Sequence, residues 1–353
     1  MHTVPALFTA DDGIIGGAER YVLELARHMA DRVPTTLVTF GNRAREEEAG
    51  RLRVRVIGSP WHVRGQAANP FSLKLLPAVL GADVIHCHQQ HIVTSSVSAA
   101  AARLTGRRVF CSDLGGGGFD ISTYVSTDAW FHGHLHISEY SRHVFGHDGL
   151  PTARVIWGGV DTAKFAPADV ARTGRVLFVG RVLPHKGVDS LVRALPPGLA
   201  LDIVGQVRDG QYLDDLRRLA AGKDVSFHHD WDDRAIVRAY QSALCIVLPS
   251  VYDTMYGHHT AVPELLGQTL IEGMACGTPA IGTRVASIPE IIDDGVNGFL
   301  VPQNDPDALR GVLSTLAGDP ALAARMGEAA RQRVLEKFTW TRVVDACLAA
   351  YAA

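Results

Sequence analysis

Two glutamates, Glu264 and Glu272, lie in the otherwise neutral and largely apolar segment PELLGQTLIEGMACGTP (residues 263–279). Moving an unpaired carboxylate from water into an apolar interior is costly, so such a segment should retain acids only where they have a partner. Capping of a helix dipole, at about 0.3–1 kcal/mol, explains a glutamate in a first helical turn but not one in the preceding loop. Two acceptors about one loop and one turn apart can instead each bind a pair of sugar hydroxyls.

The same segment indicates where its helix begins. Pro263 disfavours helix at the residue before it, and Gly267 indicates a start near Gln268 or Thr269. The first glutamate is then expected in the loop and the second in the first helical turn. The amides from Gly267 to Thr269 would face a phosphate, because a helix N-terminus offers free N–H groups to an anion.

Two cations follow a predicted strand in LFVGRVLPHKGVDSLVRAL. Arg181 and Lys186 stand in the loop between that strand and an amphipathic helix. A forked guanidinium and an ammonium on one loop suit a diphosphate. Taken alone, the loop is equally explained by a solvated surface pair.

A third loop, DDGIIGGAERYVLELARHM, contains a glycine pair. Gly16 and Gly17 are expected between a strand and a helix that starts near Ala18. Glycines there allow the backbone to approach a ligand. A plain strand-to-helix turn is the alternative, and the G-x-x-G-G spacing disfavours a nicotinamide-dinucleotide site, which has G-x-G-x-x-G.

Histidines cluster in HCHQQH (residues 86–91) and GHH (residues 257–259). His86 and His88 would share one face of a strand. A catalytic zinc site needs a third ligand, and the sequence shows none at a recognisable spacing. The favoured interpretation is therefore polar histidines at strand ends, without a metal.

Short β-branched runs alternate with amphipathic segments along the chain. Near-continuous apolar strands separated by helical patterns predict parallel sheets covered on both faces, and two successive series predict two doubly wound α/β domains joined near 160–175. In such sheets ligands bind at the carboxyl ends of the strands. The predicted strands are 4–10, 35–40, 53–58, 83–88, 107–112, 135–138 and 154–159, then 175–180, 201–205, 225–229, 245–250, 279–283 and 298–302.

Length and composition bound the class of protein. The 353 residues exceed what one hydrophobic core usually serves, and 47% hydrophobic with 20% charged residues is ordinary for an α/β protein. A net charge of -3 without a basic stripe disfavours nucleic acid, and no apolar run reaches the ~20 residues of a membrane span. Five scattered cysteines without CxxC, and a start without a signal-peptide pattern, favour a cytoplasmic protein.

Five segments in order resemble the retaining GT-B glycosyltransferases of family 4, from about Gly16 to Trp340. They are GGAERYVLELARHM, VIWGGVDTAKFAP, VGRVLPHKGVDSLVRAL, LPS, and the glutamate pair followed by GMACGTPAIGTRVASIPEIIDDGVNGFLVP. The resemblance implies α/β GT-B architecture, with two Rossmann-like doubly wound domains facing a central cleft. It implies an acceptor-side domain over 1–165, a donor domain over 166–337 and a helix over 338–353 that crosses back to the first domain.

The resemblance also implies roles at matching positions. Arg181 and Lys186 would hold the diphosphate of a nucleotide-diphosphate sugar and stabilise its charge as the glycosidic bond breaks. Glu264 would accept hydroxyls of the donor sugar, and Glu272 those of the ribose. The other implied donor contacts are Gly16, Gly17, Gly205, Gly267, Gln268, Thr269 and Leu270.

The implied reaction moves the sugar to an acceptor hydroxyl with retention at the anomeric carbon. The donor's own phosphate oxygen would deprotonate the acceptor on the same face, and the two cations would serve where other transferases use a metal. No metal or other cofactor is therefore expected. Because the N-terminal half lacks a basic amphipathic helix, a small soluble acceptor such as a specialised metabolite is favoured over a lipid-linked glycan.

Two departures from the family pattern affect the acceptor side. Leu114, in CSDLGGGGFD, stands where many relatives have a histidine, and Asp113 is the candidate to replace its hydroxyl contact. The glycines 115–118 either bring backbone close to a ligand or form a flexible loop. The segment 252–262 is longer than in most relatives, and His258 within it is a further acceptor candidate, as is His88.

Two other functions share this architecture. A sugar-nucleotide 2-epimerase would be expected to carry further acids and a histidine for elimination chemistry, and the sequence shows no such set. A non-catalytic protein that binds sugar nucleotides would be expected to have lost at least one of the four charged residues, Arg181, Lys186, Glu264 and Glu272, all of which are present.

Overall fold

The computed structural model describes residues 1–4, 17–115 and 118–353. These residues form two compact units, the first made of Met1–Gly159 with Trp340–Ala353 and the second of Val160–Thr339. The domain boundaries inferred from the sequence lie at 165/166 and 337/338. The terminal helical segment belongs to the first unit although it follows the second in the chain.

Strands and helices alternate through most of the described residues. The strands are β1 (His2–Thr3), β2 (Thr35–Gly41), β3 (Arg45–Ala49), β4 (Leu52–Gly58), β5 (Trp61–His62), β6 (Pro70–Phe71), β7 (Val84–Cys87), β8 (Arg108–Cys111), β9 (Gly133–His136), β10 (Ala153–Val155), β11 (Val176–Val179), β12 (Ala200–Val204), β13 (Asp224–His228), β14 (Cys245–Leu248), β15 (Ala280–Thr283) and β16 (Gly298–Val301). The α-helices are α1 (Gly17–Ala30), α2 (Leu76–Leu80), α3 (Val93–Leu104), α4 (Glu139–Val144), α5 (Val188–Ala194), α6 (Gly210–Leu219), α7 (Asp233–Ser242), α8 (Gln268–Ala275), α9 (Ile288–Ile291), α10 (Pro306–Gly318), α11 (Pro320–Lys337) and α12 (Trp340–Ala352). Short 3₁₀ turns occur at Val63–Gly65, Leu73–Leu75, Ile121–Thr123, Asp128–Trp130 and Pro184–Lys186.

The sheet of the first unit has the strand order β10-β9-β8-β7-β1-β2-β4-β3 among the described residues. Every neighbouring pair is parallel except β3 with β4. The sequence did not predict β3, because its REEEA segment forms an exposed edge without an apolar pattern. Of the predicted strand at 4–10 the structure describes only Val4, which directly follows β1, and residues 5–10 lie outside the described part of the chain.

Helices α1 and α12 cover part of this first sheet. Tyr21, Leu25 and Met29 lie on the buried face of α1, as their spacing predicts. The Tyr21 and Trp340 rings pack 5.3 Å apart, which joins α12 to α1. The core beneath contains Val38, Phe40, Ile57, Leu75, Val79, Ile85 and Val109.

The second unit is described throughout and contains a six-stranded parallel sheet in the order β13-β12-β11-β14-β15-β16. This is the doubly wound arrangement, in which the chain leaves β11 towards one edge and returns at β14 to build the other. The carboxyl ends of β11 and β14 therefore flank the topological switch point, where such sheets bind ligands.

No helix within the described ranges is long and apolar enough to span a membrane.

Candidate functional site

The loops at the switch point bring together one predicted cation and one predicted acid. Lys186 ends the 3₁₀ turn after β11, and Glu264 lies in the segment after β14. Lys186 Nζ donates to Glu264 Oε2 at 2.6 Å and to the Pro263 carbonyl at 3.3 Å. Both side chains are largely buried, at 10% and 16% exposure, so the pair is shielded from solvent screening.

Within the described residues, each partner of this pair keeps unused hydrogen-bonding capacity. An ammonium has three donors, and Glu264 and Pro263 take two of those on Lys186. Glu264 Oε1 accepts the Gly267 N–H at 3.2 Å, which leaves further lone pairs on the carboxylate. The pair can therefore donate to an anion and accept from a hydroxyl at adjacent points.

Arg181 adds a second positive charge to the loop after β11. Its side chain is exposed, and no hydrogen bond or ion pair joins it to a residue in the described ranges. Burial, then the charges of Lys186 and Arg181, lower the pKa of His185 to about 4. The loop is thus a positive environment suited to an anion, and His185, which the sequence analysis did not single out, is identified only by its place between the two cations.

Helix α8 starts at Gln268, as the sequence predicts. The expectation that Glu272 occupies the first turn is wrong, because Glu272 is the fifth residue of α8 and lies in its second turn. Glu272 is 7% exposed, and its Oε2 accepts the hydroxyl of Tyr240 on α7 at 3.0 Å. Helix capping does not explain Glu272, because the first turn of α8 has no acid. Glu272 is instead a buried acid with the Tyr240 phenol as its partner.

Two arginines fix the opposite end of α8. Arg331 Nη1 donates to the Ala275 carbonyl at 2.7 Å, and Arg172 Nη2 donates to the Gly277 carbonyl at 2.6 Å. They satisfy carbonyls that a helix C-terminus leaves without intrahelical partners. A cavity of about 280 Å³ beside them is lined by neither Lys186 nor Glu264, so it is separate from the charged pair.

The remaining predicted donor contacts are at helix starts or strand ends. Leu270 has a fully buried side chain, and its N–H bonds to the Gly267 carbonyl at 3.0 Å. Gly205 directly follows β12 and lies so close to Gly180, which directly follows β11, that a Cβ at Gly205 would lie 1.9 Å from the Gly180 carbonyl oxygen. Gln268 and Thr269 are half-buried in the first turn of α8. Gly17 opens α1, and Gly16 lies outside the described residues.

Asp113, predicted on the acceptor side, is 4% exposed in the first unit. Its Oδ1 accepts the Gly115 N–H at 3.0 Å, and its Oδ2 lies 4.0 Å from His91 Nε2. Burial raises the pKa of the Asp113 carboxyl. Leu114 beside it is half-buried, and residues 116 and 117 of the glycine run lie outside the described chain.

His258 is exposed in the second unit, on the segment 252–262. This segment folds back on itself through a bridge between Asp253 and His259. Tyr256 anchors it, since its hydroxyl donates to Asp215 Oδ2 at 2.5 Å. The long segment therefore has defined structure, which the sequence did not indicate.

The third predicted acceptor residue, His88, is buried in the first unit with His2 and His86. His2 and His86 are paired across β1 and β7, and His2 Nδ1 lies 2.9 Å from His88 Nε2. The structure thus supplies the third histidine that the sequence analysis lacked. Its separation by more than eighty residues gave no spacing signal.

Most of the chain matches known protein families. The profile of the family described as Glycosyltransferase Family 4 matches residues 15–164, and that of Glycosyl transferases group 1 matches residues 161–333. The alpha-maltose-1-phosphate synthase of Mycobacterium tuberculosis is 29% identical over 324 residues, which covers 79% of this chain and 81% of that protein. A GDP-mannose-dependent alpha-(1-6)-phosphatidylinositol monomannoside mannosyltransferase of Mycolicibacterium smegmatis is 32% identical over 238 residues, 58% of each chain.

Solved structures resemble the whole chain. Anabaena HepE in complex with UDP has a TM-score of 0.76 at 18% identity and covers 99% of both chains. The sucrose-phosphate synthase of Thermosynechococcus elongatus has a TM-score of 0.76 at 20% identity and covers 99% of this chain and 98% of that one. The two Rossmann-like units are those of the GT-B fold, and the chain belongs to the family-4 glycosyltransferases.

Proposed function

We propose that the protein is a retaining glycosyltransferase that moves a sugar from a nucleotide-diphosphate donor to an acceptor hydroxyl. The observation that carries the proposal is the Lys186–Glu264 ion pair at the switch point of the second sheet. In a nucleotide sugar, a phosphate and a sugar hydroxyl lie close together. A shielded cation beside a carboxylate with free lone pairs matches that chemistry.

The cations act on the leaving diphosphate. Negative charge grows on it as the glycosidic bond breaks, and preorganised donors aimed at that charge stabilise the transition state. Arg181 supplies a forked guanidinium and Lys186 a point charge. Glu264 accepts hydroxyls of the donor sugar, and Glu272 those of the ribose.

Retention follows when the acceptor attacks the face from which the diphosphate leaves. The donor's phosphate oxygen takes the acceptor proton on that face, so the protein needs no carboxylate nucleophile. Because Arg181 and Lys186 neutralise the leaving group, we propose that the transfer requires no metal ion or other cofactor.

The names of related proteins support a nucleotide-sugar donor. The mannosyltransferase from Mycolicibacterium smegmatis is GDP-mannose-dependent, and HepE was solved with UDP and with UDP-glucose. Because these proteins differ in nucleobase, we propose the class of donor for this chain, a nucleotide-diphosphate sugar. For the acceptor we propose a small soluble molecule met in the cytoplasm, with Asp113 as a hydroxyl contact.

Transfer assays with chemically defined donors test the proposal. The protein is incubated with UDP-, GDP-, ADP- and dTDP-sugars, with and without a panel of small polyhydroxyl acceptors, and products are examined by proton NMR. An acceptor-dependent product with the donor's anomeric configuration is expected. An inverted product would contradict retention, and a new sugar formed from donor alone would identify an epimerase.

A further inference from the structure

Three side chains of the first unit meet outside the proposed donor site. Asp128 begins a 3₁₀ turn, His134 lies in β9, and His147 follows α4. Each offers one ligand atom, and these atoms lie within 4.8 Å of one another. His147 Nε2 is 3.6 Å from Asp128 Oδ1, and the centroids of the two imidazole rings are 4.1 Å apart.

His134 lacks the hydrogen bonds that a buried imidazole normally makes. Its side chain is 2% exposed, and neither ring nitrogen has a partner among the residues that the structure describes. Leaving buried polar atoms without partners is unfavourable, and native proteins rarely do so without a ligand, ion or water at the site. The fold alone therefore does not explain a histidine at this position.

The other two side chains are held in place by hydrogen bonds. His147 Nδ1 pairs with His136 Nε2 at 3.0 Å, which leaves His147 Nε2 directed towards Asp128. Asp128 accepts from Gln90 Nε2 at 2.5 Å and from Ser126 Oγ at 3.0 Å. Such outer contacts, which fix the orientation of an imidazole and a carboxylate, typically surround metal ligands.

We propose that Asp128, His134 and His147 bind a divalent transition-metal ion of the zinc class. Two nitrogens and one oxygen suit zinc, whereas magnesium and calcium prefer oxygen alone. Ligand atoms of tetrahedral zinc lie about 3.4 Å apart, close to the observed His147–Asp128 separation. Asp128 is 38% exposed, so a water molecule can reach the fourth position.

The bound ion would join three elements of the first unit. It would hold the turn Asp128–Trp130 against β9 and the end of α4, and so stabilise this part of the first unit. The site is independent of the metal-free transfer chemistry proposed for the second unit.

The histidine cluster of His2, His86 and His88 is a weaker candidate. His2 Nδ1 pairs with His88 Nε2, and His86 bonds through Nδ1 to Tyr351 Oη at 2.6 Å and through Nε2 to Ser112 Oγ at 2.9 Å. Of these six ring nitrogens, only His88 Nδ1 is buried without a partner among the described residues. The cluster is therefore largely satisfied without a metal.

Zinc titration of the metal-free, full-length protein tests the proposal. The protein is stripped with EDTA, dialysed, and titrated with Zn²⁺ by calorimetry and by thermal denaturation. The test variants are Asp128→Asn and His134→Gln. The matched controls are His62→Gln, at an exposed histidine, and His88→Gln, in the other cluster.

The wild type should bind one equivalent of Zn²⁺ at this site, and its melting temperature should rise because the ion binds the folded state. Both test variants should bind at least tenfold more weakly and lose the zinc-dependent shift, and both controls should retain them. Absence of wild-type binding, equal affinity in all variants, or loss only in His88→Gln would overturn the proposal. If His134→Gln fails to fold, the half-exposed Asp128→Asn decides the result.

Discussion

At the scale of single residues, the proposed donor site depends most on the Lys186–Glu264 ion pair. The desolvation free energy of a buried ion pair is about as large as the attraction between its charges, so its presence is a weak argument for stability. Its position at the carboxyl ends of β11 and β14 is a stronger argument for ligand binding.

Lys186→Met should destabilise the protein by about 3 kcal/mol, because it leaves the Glu264 carboxylate buried without its cation. The double variant Lys186→Met/Glu264→Gln should recover most of that loss, since glutamine still accepts the Gly267 N–H. Transfer activity should stay at least 100-fold below wild type in both, because the diphosphate has lost a donor. Urea denaturation and donor turnover provide the two readouts. A double variant that regains full turnover would show that the pair is purely structural.

Arg181→Lys should lower transfer at least tenfold while changing stability by less than about 0.5 kcal/mol, because an exposed point charge cannot replace a fork on a diphosphate. The matched control is Arg193→Lys, at an exposed position of α5, which should leave turnover unchanged. Steady-state kinetics with the preferred donor measure both. Equal turnover in the two variants would exclude Arg181 from the site.

The residue types at the site could be predicted from the sequence, but their pairings could not. The carboxylates and cations stand in loops that strand patterns and the family resemblance indicate. Partners such as Lys186 with Glu264, or Tyr240 with Glu272, are separated by 78 and 32 positions. Only the folded chain shows which of these groups meet.

At the scale of elements, the loop after β11 is positioned by its contact with β14. Gly187 has φ +64°, and a Cβ there would lie 2.0 Å from the Pro249 carbonyl oxygen, just beyond β14. The backbones thus approach as closely as glycine permits. This contact places Lys186 beside the segment that carries Glu264.

Gly187→Ala should therefore destabilise the protein by more than about 2 kcal/mol, combining left-handed strain with a backbone clash. Gly198→Ala is the matched control, since Gly198 has φ +84° but no atom within 4 Å of the added Cβ. It should cost only about 1 kcal/mol, the strain alone. Chemical denaturation compares them. Equal losses would show that the close approach to Pro249 does not constrain the loop.

Elements with a clear apolar pattern could be predicted, and those without one could not. The start of α8 at Gln268 follows from the neighbouring Pro263 and Gly267. The edge strand β3 has five residues without an apolar alternation, and its pairing with β4 is what makes it a strand. Glu272 lies in the second turn because α8 starts at Gln268. A start at Thr269, one residue later, would have placed it in the first turn.

At the scale of the whole molecule, two successive β/α series predict two doubly wound units, and the GT-B fold confirms this expectation. The alternation is readable because parallel strands are buried on both faces and appear as apolar runs. Which helices belong to each unit is harder to predict from the sequence. The return of α12 to the first unit depends on packing such as Tyr21 against Trp340.

The stability of the protein should fall as the pH drops below about 6.5. Burial first, and then the neighbouring histidines or the Met1 amine, lower the pKa values of His2, His86 and His88, the last to about 3. Between about 6.5 and 3 the unfolded chain binds protons that the folded chain does not, so unfolding becomes easier as pH falls. From α12, the Tyr351 hydroxyl forms a hydrogen bond with His86 of this cluster.

Denaturation in EDTA between pH 7.5 and 5 measures this dependence, with an expected loss of at least about 1 kcal/mol per pH unit below pH 6. His88→Asn should reduce the slope, while His62→Asn, at an exposed position, should not. A flat profile over this range would show that the buried histidines are protonated in the folded state.

Calorimetric titration with UDP, GDP, ADP and dTDP tests most directly whether the switch point of the second unit binds a nucleotide diphosphate. We expect one of these nucleotides to bind the wild type and to bind the Arg181→Ala and Glu272→Ala variants at least tenfold more weakly. Its affinity for the control variant Arg193→Ala should equal that for the wild type. Unaltered affinity in the two site variants, or no binding by the wild type, would contradict this expectation.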